Sequence, residues 1–113
     1  MSKLKNVFST FTVAITIFMT CSVCSGTHSY TSTQLTENDL GDYGPKINVH
    51  GYVVWYGYDG SDYEIFLYDG SSIVQLTDNE FNDSMPGISG NGHVVWNGGG
   101  GYKNDSEIFL YDG

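Results

Sequence analysis

The chain has 113 residues, of which 15% are aromatic, and its 13 acidic residues against four basic ones give a formal net charge of −9. A chain this acidic repels phosphate backbones, so nucleic acid is excluded as the expected partner. Cysteine occurs at Cys21 and Cys24 alone, so no disulfide framework is expected to stabilise the body of the chain.

The first 26 residues differ in composition from the rest. Two lysines precede a mostly apolar stretch from residue 7 to 19, and small residues follow up to Gly26. A basic start, a short apolar middle and a small-residue exit are typical of a secretory signal peptide. We predict that residues 1–26 direct export to the periplasm, the cell surface or the medium, with an uncleaved anchor as the alternative. Acylation of Cys21 or Cys24 is disfavoured, because neither follows the usual small residue.

From Gln34 onward the chain contains two copies of one unit. The heptapeptide EIFLYDG occurs at 64–70 and again at 107–113, and QLT begins at Gln34 and again at Gln75. The copies are 41 positions apart until the second gains two residues in its Gly-rich loop. A tandem unit of about 40 residues that is rich in β-forming sequence indicates a repeat architecture.

We divide the predicted body, residues 27–113, into repeats at about 34–74 and 75–113. Matched positions in the two repeats mark a shared structural framework. These residues are Pro45 and Pro86, Trp55 and Trp96, and Tyr68 and Tyr111.

Each repeat is predicted to form four short strands. The first strands are 46–49 and 87–89, the second 52–56 and 93–97, the third 64–68 and 107–111, and the fourth 73–77, with a counterpart at 33–36. An acidic, Asn-rich loop is expected to end at each proline. Asn91-Gly92 is predicted to supply the positive φ angles of a hairpin turn, and Asp69-Gly70 is predicted to make another.

The strand segments VVW and IFLY are nearly continuous apolar runs. A strand exposed on one face should alternate, whereas one covered on both faces need not. Four-stranded antiparallel sheets covered on both faces are the blades of a β-propeller. We therefore predict an all-β fold with two four-stranded antiparallel propeller-type blades. A plain sandwich is the alternative, but it does not explain the repeat.

Two blades alone leave their outer faces uncovered. Further blades would come either from a longer gene product or from other copies of the chain in a homo-oligomer.

The order of the elements resembles the blades of TolB-type, WD-repeat-like propellers. The matching elements are QLT, an acidic loop with Asp three residues before Pro, I-S-G-N-G-x-V-V-W, a Gly/Asp loop and E-I-F-L-Y-D-G. The resemblance covers about residues 33–113, although the first copy has N-V-H-G in place of S-G-N-G. It implies the blade fold and roles in binding partner proteins or gating substrates of peptidases, whose catalysis lies on a separate hydrolase domain.

Tyrosines, among them Tyr52 and Tyr63, gather with carboxylates in or beside the loop between the second and third strands. The predicted ligand-binding residues are Tyr56, Tyr58, Asp59, Asp62, Tyr102 and Asp105. Tyr-rich loops suit protein partners and polar ligands, although such rings also cover blade edges. The carboxylates could attract calcium, but the segment matches no calcium-loop pattern, so no metal site is predicted.

The remaining candidate residues are expected to be structural. Trp55 and Trp96 are predicted to pack between blades, with stacking on sugar rings as the alternative. Asp42 and Asp83 are expected to accept hydrogen bonds from nearby backbone amides.

The sequence contains no catalytic constellation that we can identify. The G-x-S-x-G elbow does not occur, and the three histidines lack zinc-ligand spacing. We predict an exported, non-enzymatic module without a cofactor that binds a protein partner. The alternatives are a carbohydrate-binding ring of several chains, or a fragment of a larger exported or peptidase-associated propeller protein.

Overall fold

The computed structural model describes residues 29–100 and 105–113. The chain divides into two units, Met1–Thr31 and Ser32–Gly113, and both sheets belong to the second. The predicted signal peptide and Tyr102 lie outside the described residues. Within the described ranges, no helix has the length and apolar character of a membrane span.

The described residues form seven strands in two antiparallel sheets. The strands of the first sheet, hydrogen-bonded in chain order, are β1 (Asp42–Ile47), β2 (Val53–Tyr58), β3 (Tyr63–Tyr68) and β4 (Ile73–Gln75). Those of the second, also in chain order, are β5 (Asp83–Ile88), β6 (Val94–Gly100) and β7 (Asp105–Tyr111). The fold is therefore all-β, as predicted, and both sheets are open.

The predicted bounds of the first strand in each repeat are wrong, and so is the predicted strand at 33–36. β1 and β5 begin four residues earlier than predicted and contain Pro45 and Pro86. Bulges at both prolines interrupt the ladder, because proline has no N–H to donate. Segment 33–36 forms no strand, and the second sheet has three strands where four were predicted. A strand needs a neighbour for its backbone groups, and no described strand pairs with this segment.

The two bulges place different residues at one strained position. Gly44 and Met85 both precede the proline and have positive φ angles of 60° and 54°. Met85 is the one non-glycine residue with positive φ in the described part of the chain. Left-handed backbone costs a residue with a Cβ roughly 1–2 kcal/mol. The second repeat therefore carries strain that the first avoids.

The turn between the first two strands has one geometry in both repeats. Ser89 N–H donates to His93 O at 2.9 Å and Gly92 N–H donates to Ser89 O at 3.1 Å. Only Gly92 in this turn has positive φ, at 89°, which gives a three-residue loop closed by a left-handed glycine. The expectation of a positive φ at Asn91 is therefore wrong. The first repeat makes the same turn with Gly51, although it lacks Asn-Gly.

The core lies between the two sheets. We call the face of each sheet that carries its tryptophan the back face, and the opposite face the front face. Val54, Ile65 and Leu67 on the front face of the first sheet form one buried cluster with Val94 and Trp96 on the back face of the second. Burying such a side chain is worth about 1.5–3 kcal/mol, and five of the six buried hydrophobic residues of the described structure belong to this front-to-back contact.

Equivalent positions of the repeats have opposite burial. Ile65 and Leu67 are 0% and 7% exposed, whereas Ile108 and Leu110, from the same heptapeptide, are 73% and 62% exposed. The expectation that the apolar runs are covered on both faces therefore fails for the front face of the second sheet in the described structure. The sequence of a strand does not determine this, because the cover comes from another element.

Candidate functional site

Four tyrosines lie together on the front face of the first sheet. Strand register places Tyr58 opposite Tyr63 and Tyr43 opposite Tyr56. The ring centroids of Tyr58 and Tyr63 are 5.6 Å apart, and those of Tyr43 and Tyr56 are 5.7 Å apart. Both Tyr43 and Tyr56 also contact the Tyr63 ring edge-on, a favourable geometry for aromatic pairs. We call Tyr43, Tyr56, Tyr58 and Tyr63 the tyrosine cluster.

The cluster is a preorganised and accessible surface. Tyr43 and Tyr58 are 47% and 37% exposed, while Tyr56 and Tyr63 are half-buried beneath them. Tyrosine provides rigid contact area at a low cost in conformational entropy, because only two side-chain angles must be fixed. The mutual ring contacts fix those angles before any partner arrives.

Sequence reasoning found part of this cluster and missed Tyr43. Tyr56 and Tyr58 were predicted as ligand-binding residues, and both lie in the cluster. Tyr43 was missed because the first strand was expected to begin only after Pro45. Extending that strand through the proline would have placed Tyr43 beside Tyr56, since the ring positions follow from register alone.

A tight acidic turn, residues 59–62, joins β2 and β3, two of the three strands that carry the cluster. Asp59 Oδ1 accepts the N–H of Ser61 at 2.8 Å and the N–H of Asp62 at 3.3 Å. These backbone donors lower the pKa of Asp59. The acidic turn therefore keeps a negative charge beside Tyr58 and Tyr63.

Asp62, the other predicted acid of this turn, is in a different environment. Its Oδ1 is buried and has no hydrogen-bond partner in the described residues. Burial, followed by the nearby charges of Asp59 and Asp83, raises the pKa of Asp62. Carboxylate oxygens of Asp59, Asp62 and Glu64 lie within 4.8 Å of one another. Three ionised carboxylates this close repel one another, so the group favours a bound proton or a positively charged neighbour.

Glu64 is a fully buried carboxyl at the edge of this group. The hydroxyl of Thr77 and the backbone N–H of Asn79, the latter at 2.8 Å, donate to its two oxygens. Thr77 Oγ1 in turn accepts the N–H of Ile65 at 2.8 Å. Burial raises the pKa of Glu64 despite these donors. Both donors belong to the second repeat and Glu64 belongs to the first, so this carboxyl connects the two repeats.

The other two predicted ligand residues do not join this site in the described structure. Asp105 begins β7 in the second sheet, where it pairs with Gly100 and is exposed. Tyr102 lies outside the described residues. The candidate site is therefore the tyrosine cluster with the acidic turn, and it belongs to the first repeat.

The two tryptophans make matching hydrogen bonds and ring contacts, although of the two Trp96 alone belongs to the core cluster of the described structure. Trp55 Nε1–H donates to Asp42 Oδ1 at 3.0 Å, and Trp96 Nε1–H donates to Asp83 Oδ1 at 3.1 Å. Each indole also stacks on a phenylalanine of the third strand, with centroids 5.8 Å apart. Both indoles are buried, so neither presents an open ring face to a ligand in the described structure.

The expected role of Asp42 and Asp83 is corrected by these bonds. Their carboxylates accept side-chain donors, the indole N–H and the amide of the asparagine four residues earlier. The asparagine, and not the aspartate, accepts the backbone N–H in each loop. Asn38 Oδ1 accepts Leu40 N–H at 2.8 Å, and Asn79 Oδ1 accepts Phe81 N–H at 2.7 Å. An Asn side chain can donate and accept at once, which explains the division of roles.

The remaining framework residues have local roles. Pro45 and Pro86 lie in the bulged strands. The Tyr68 hydroxyl donates to Gly70 O at 2.8 Å, and Tyr111 packs against the core cluster.

No family model, curated protein or solved structure matches the chain. The TolB-type resemblance therefore stays a prediction from the repeat pattern.

Proposed function

We propose that the chain is an exported β-propeller repeat module that binds a protein partner through the tyrosine cluster and the acidic turn, without catalysis. The observation that carries this proposal is the juxtaposition of two exposed tyrosine rings, Tyr43 on β1 and Tyr58 on β2, with the carboxylate of Asp59 in the turn that follows β2. Tyrosine is enriched at protein interfaces because it combines a large apolar ring with a polar hydroxyl.

The chemistry of this surface favours a partner segment that contains lysine or arginine. A cation gains from the faces of the tyrosine rings and from the adjacent carboxylates. The chain as a whole supports the same choice, since all 13 acidic residues follow residue 26 and only Lys46 and Lys103 oppose them there. Such a charge speeds association with basic partners.

The propeller assignment is supported by the way the sheets pack. Two repeats of one sequence unit form similar antiparallel sheets, and the front of one covers the back of the next. Sheets that repeat radially in this manner build a propeller. Export is proposed from the composition of residues 1–26 and places the module in the periplasm, at the cell surface or in the medium.

Selection of peptides on the immobilised chain tests the binding proposal. We expect a displayed random-peptide library to yield Lys- or Arg-containing sequences, and Tyr58→Ser to weaken their binding about tenfold, which corresponds to roughly 1.4 kcal/mol. Val49→Ser is the matched control, because Val49 is 85% exposed and lies at the β1–β2 turn outside the cluster. Peptides that bind Tyr58→Ser as tightly as the natural chain would refute the proposed surface.

A carbohydrate ligand is the second candidate, since the exposed Tyr43 and Tyr58 rings also suit stacking on a sugar beside hydrogen-bonding carboxylates. Salt distinguishes the two ligands, because binding of a basic peptide weakens as salt screens the charges, while binding of a neutral sugar does not. A glycan array in which Tyr58→Ser removes all signals, beside a failed peptide selection, would favour the carbohydrate.

A further inference from the structure

The second repeat presents an uncovered apolar surface. Val95, Ile108 and Leu110, on the front face of the second sheet, are 45%, 73% and 62% exposed. Their counterparts in the first repeat are Val54, Ile65 and Leu67, all buried. The equivalent side chains of the first repeat thus already form an interface within the molecule. That interface shows which elements cover such side chains.

Two parts of the second repeat cover Val54, Ile65 and Leu67 in the first repeat. One is the back face of the second sheet, where Val94 and Trp96 join the core and Ile88 packs against it. The other is the segment that enters the second repeat. Its Gln75, the last residue of β4, pairs with Phe66 of β3, and the N–H of the next residue, Leu76, donates to Ile65 O at 2.7 Å.

The entering segment also supplies the donors for a buried acid. Thr77 and the N–H of Asn79 hold the carboxyl of Glu64. The second repeat has the same acid at Glu107, which is exposed on the edge strand β7. Counterparts of the two donors exist at Thr36 and Asn38, in a segment outside both sheets.

The back face of the first sheet completes the comparison. Ile47 is 69% exposed, whereas its counterpart Ile88 packs against the core. The molecule therefore exposes residues of both halves of the interface that it forms internally, although Trp55, on the back face of the first sheet, is 4% exposed. One half is the front face of the second sheet with edge strand β7, and the other is the back face of the first sheet with residues 34–38.

We propose that a second copy of this chain docks head to tail across these two halves. Residues 34–38 of one copy then extend the edge of β7 in the other, where Thr36 and Asn38 bind the carboxyl of Glu107. The internal register places Gln34 opposite Phe109, as Gln75 lies opposite Phe66. Complementarity needs no new kind of surface, because the aliphatic core residues and the bonds to the buried acid have counterparts at the same repeat positions, although Asn97 replaces Tyr56 in the second repeat.

Several properties make a second copy the occupant. An exposed sheet edge readily takes a further strand. The face beside it is apolar, and Glu107 requires donors once it is covered. The interface is heterologous, since different surfaces of each copy meet. Repetition therefore produces a closed ring or an open filament, depending on the rotation per step.

Paired substitutions test the proposal by sedimentation velocity on the full chain. We expect the natural chain to assemble as its concentration rises. Leu110→Asp blocks one half of the interface and Ile47→Asp blocks the other, so each variant alone should be monomeric. Both side chains are mostly exposed, and circular dichroism should show unchanged strand content.

Mixing the two variants is the decisive measurement. Each variant retains the half that the other has lost, so an equimolar mixture should form one 1:1 dimer and nothing larger. A natural chain that is monomeric at all concentrations would overturn the proposal. Assembly that resists both substitutions, or that only Leu110→Asp disrupts, would also overturn it, the latter because it indicates pairing of like faces.

Glu107→Ala tests the polar contact within the same interface. We expect the dissociation constant of the assembly to rise at least about tenfold, because hydrogen bonds to a charged group are lost. Asp112→Ala is the matched control, since Asp112 is exposed just after β7. Equal effects of the two substitutions would show that general acidity, and no bond to Glu107, governs the assembly.

Discussion

Replacing Ile65 and Ile108 with alanine, one at a time, tests whether two copies of one peptide contribute unequally to stability. Both residues lie in EIFLYDG, so local sequence and strand propensity are matched. Ile65 is 0% exposed in the core between the sheets, whereas Ile108 is 73% exposed on the second sheet. Any difference between the two substitutions therefore reports tertiary burial.

The expected magnitudes follow from that burial. Truncating a buried isoleucine to alanine costs about 2–5 kcal/mol, through lost apolar burial and the cavity that remains. An exposed substitution usually changes stability by about 0.5 kcal/mol or less. We expect Ile65→Ala to lower the free energy of unfolding by at least roughly 2 kcal/mol more than Ile108→Ala, a large share of the ~5–15 kcal/mol typical of a domain.

Urea unfolding followed by tryptophan fluorescence provides the assay, because both indoles are buried in the folded chain. The measurement is made on dilute protein, to limit the proposed assembly. Equal losses for the two variants would refute the difference in burial. At high concentration the Ile108→Ala penalty should grow, since docking of a second copy would cover that residue.

Two further predictions concern single positions. Burial raises the pKa of Glu64, so the folded chain binds this proton more tightly than the unfolded chain. The stabilisation from this bound proton is fully present below the pKa of Glu64 in the unfolded chain, and it is lost as pH rises through the pKa of Glu64 in the folded chain. Glu64→Gln should reduce that loss in urea titrations carried upward in pH from the ordinary glutamate pKa of about 4.3, and an unchanged slope would contradict a buried, protonatable Glu64. Met85→Gly should stabilise the chain by about 0.5–1 kcal/mol, since the relief of left-handed strain exceeds the entropy cost of glycine. The reverse test, Gly44→Ala, should destabilise it, because the new Cβ would lie 2.9 Å from the Tyr56 ring, and a neutral result for both would argue against strain at the bulge.

The matched Asn–Asp–Trp bonds show why the repeats fold alike despite differing loops. In each repeat an asparagine turns the loop, an aspartate accepts the indole N–H and a phenylalanine stacks on the indole. The turn that follows has the same hydrogen bonds in both repeats, with Gly51 and Gly92 in one conformation. A few fixed polar residues therefore preserve the sheet while the intervening residues vary.

Local chemistry in the sequence was sufficient to predict much of this protein. Short β-branched and aromatic runs between glycine-rich turns specify strands, and the recurrence of EIFLYDG specifies two similar sheets. The grouping of Tyr56 and Tyr58 near one loop followed from composition, and their role in binding stays a prediction. These features depend on residues close together in the chain.

Only the tertiary structure decided which copy of each residue is buried and which carboxylate meets which donor. Ile65 and Ile108 have identical neighbours in sequence, yet one is in the core and the other faces outward. Tyr43 reaches the tyrosine cluster through strand pairing across a bulged proline, and Asp42 meets an indole 13 positions away. Burial and pairing depend on the element that covers or adjoins a strand, and the local sequence of the strand does not specify that element.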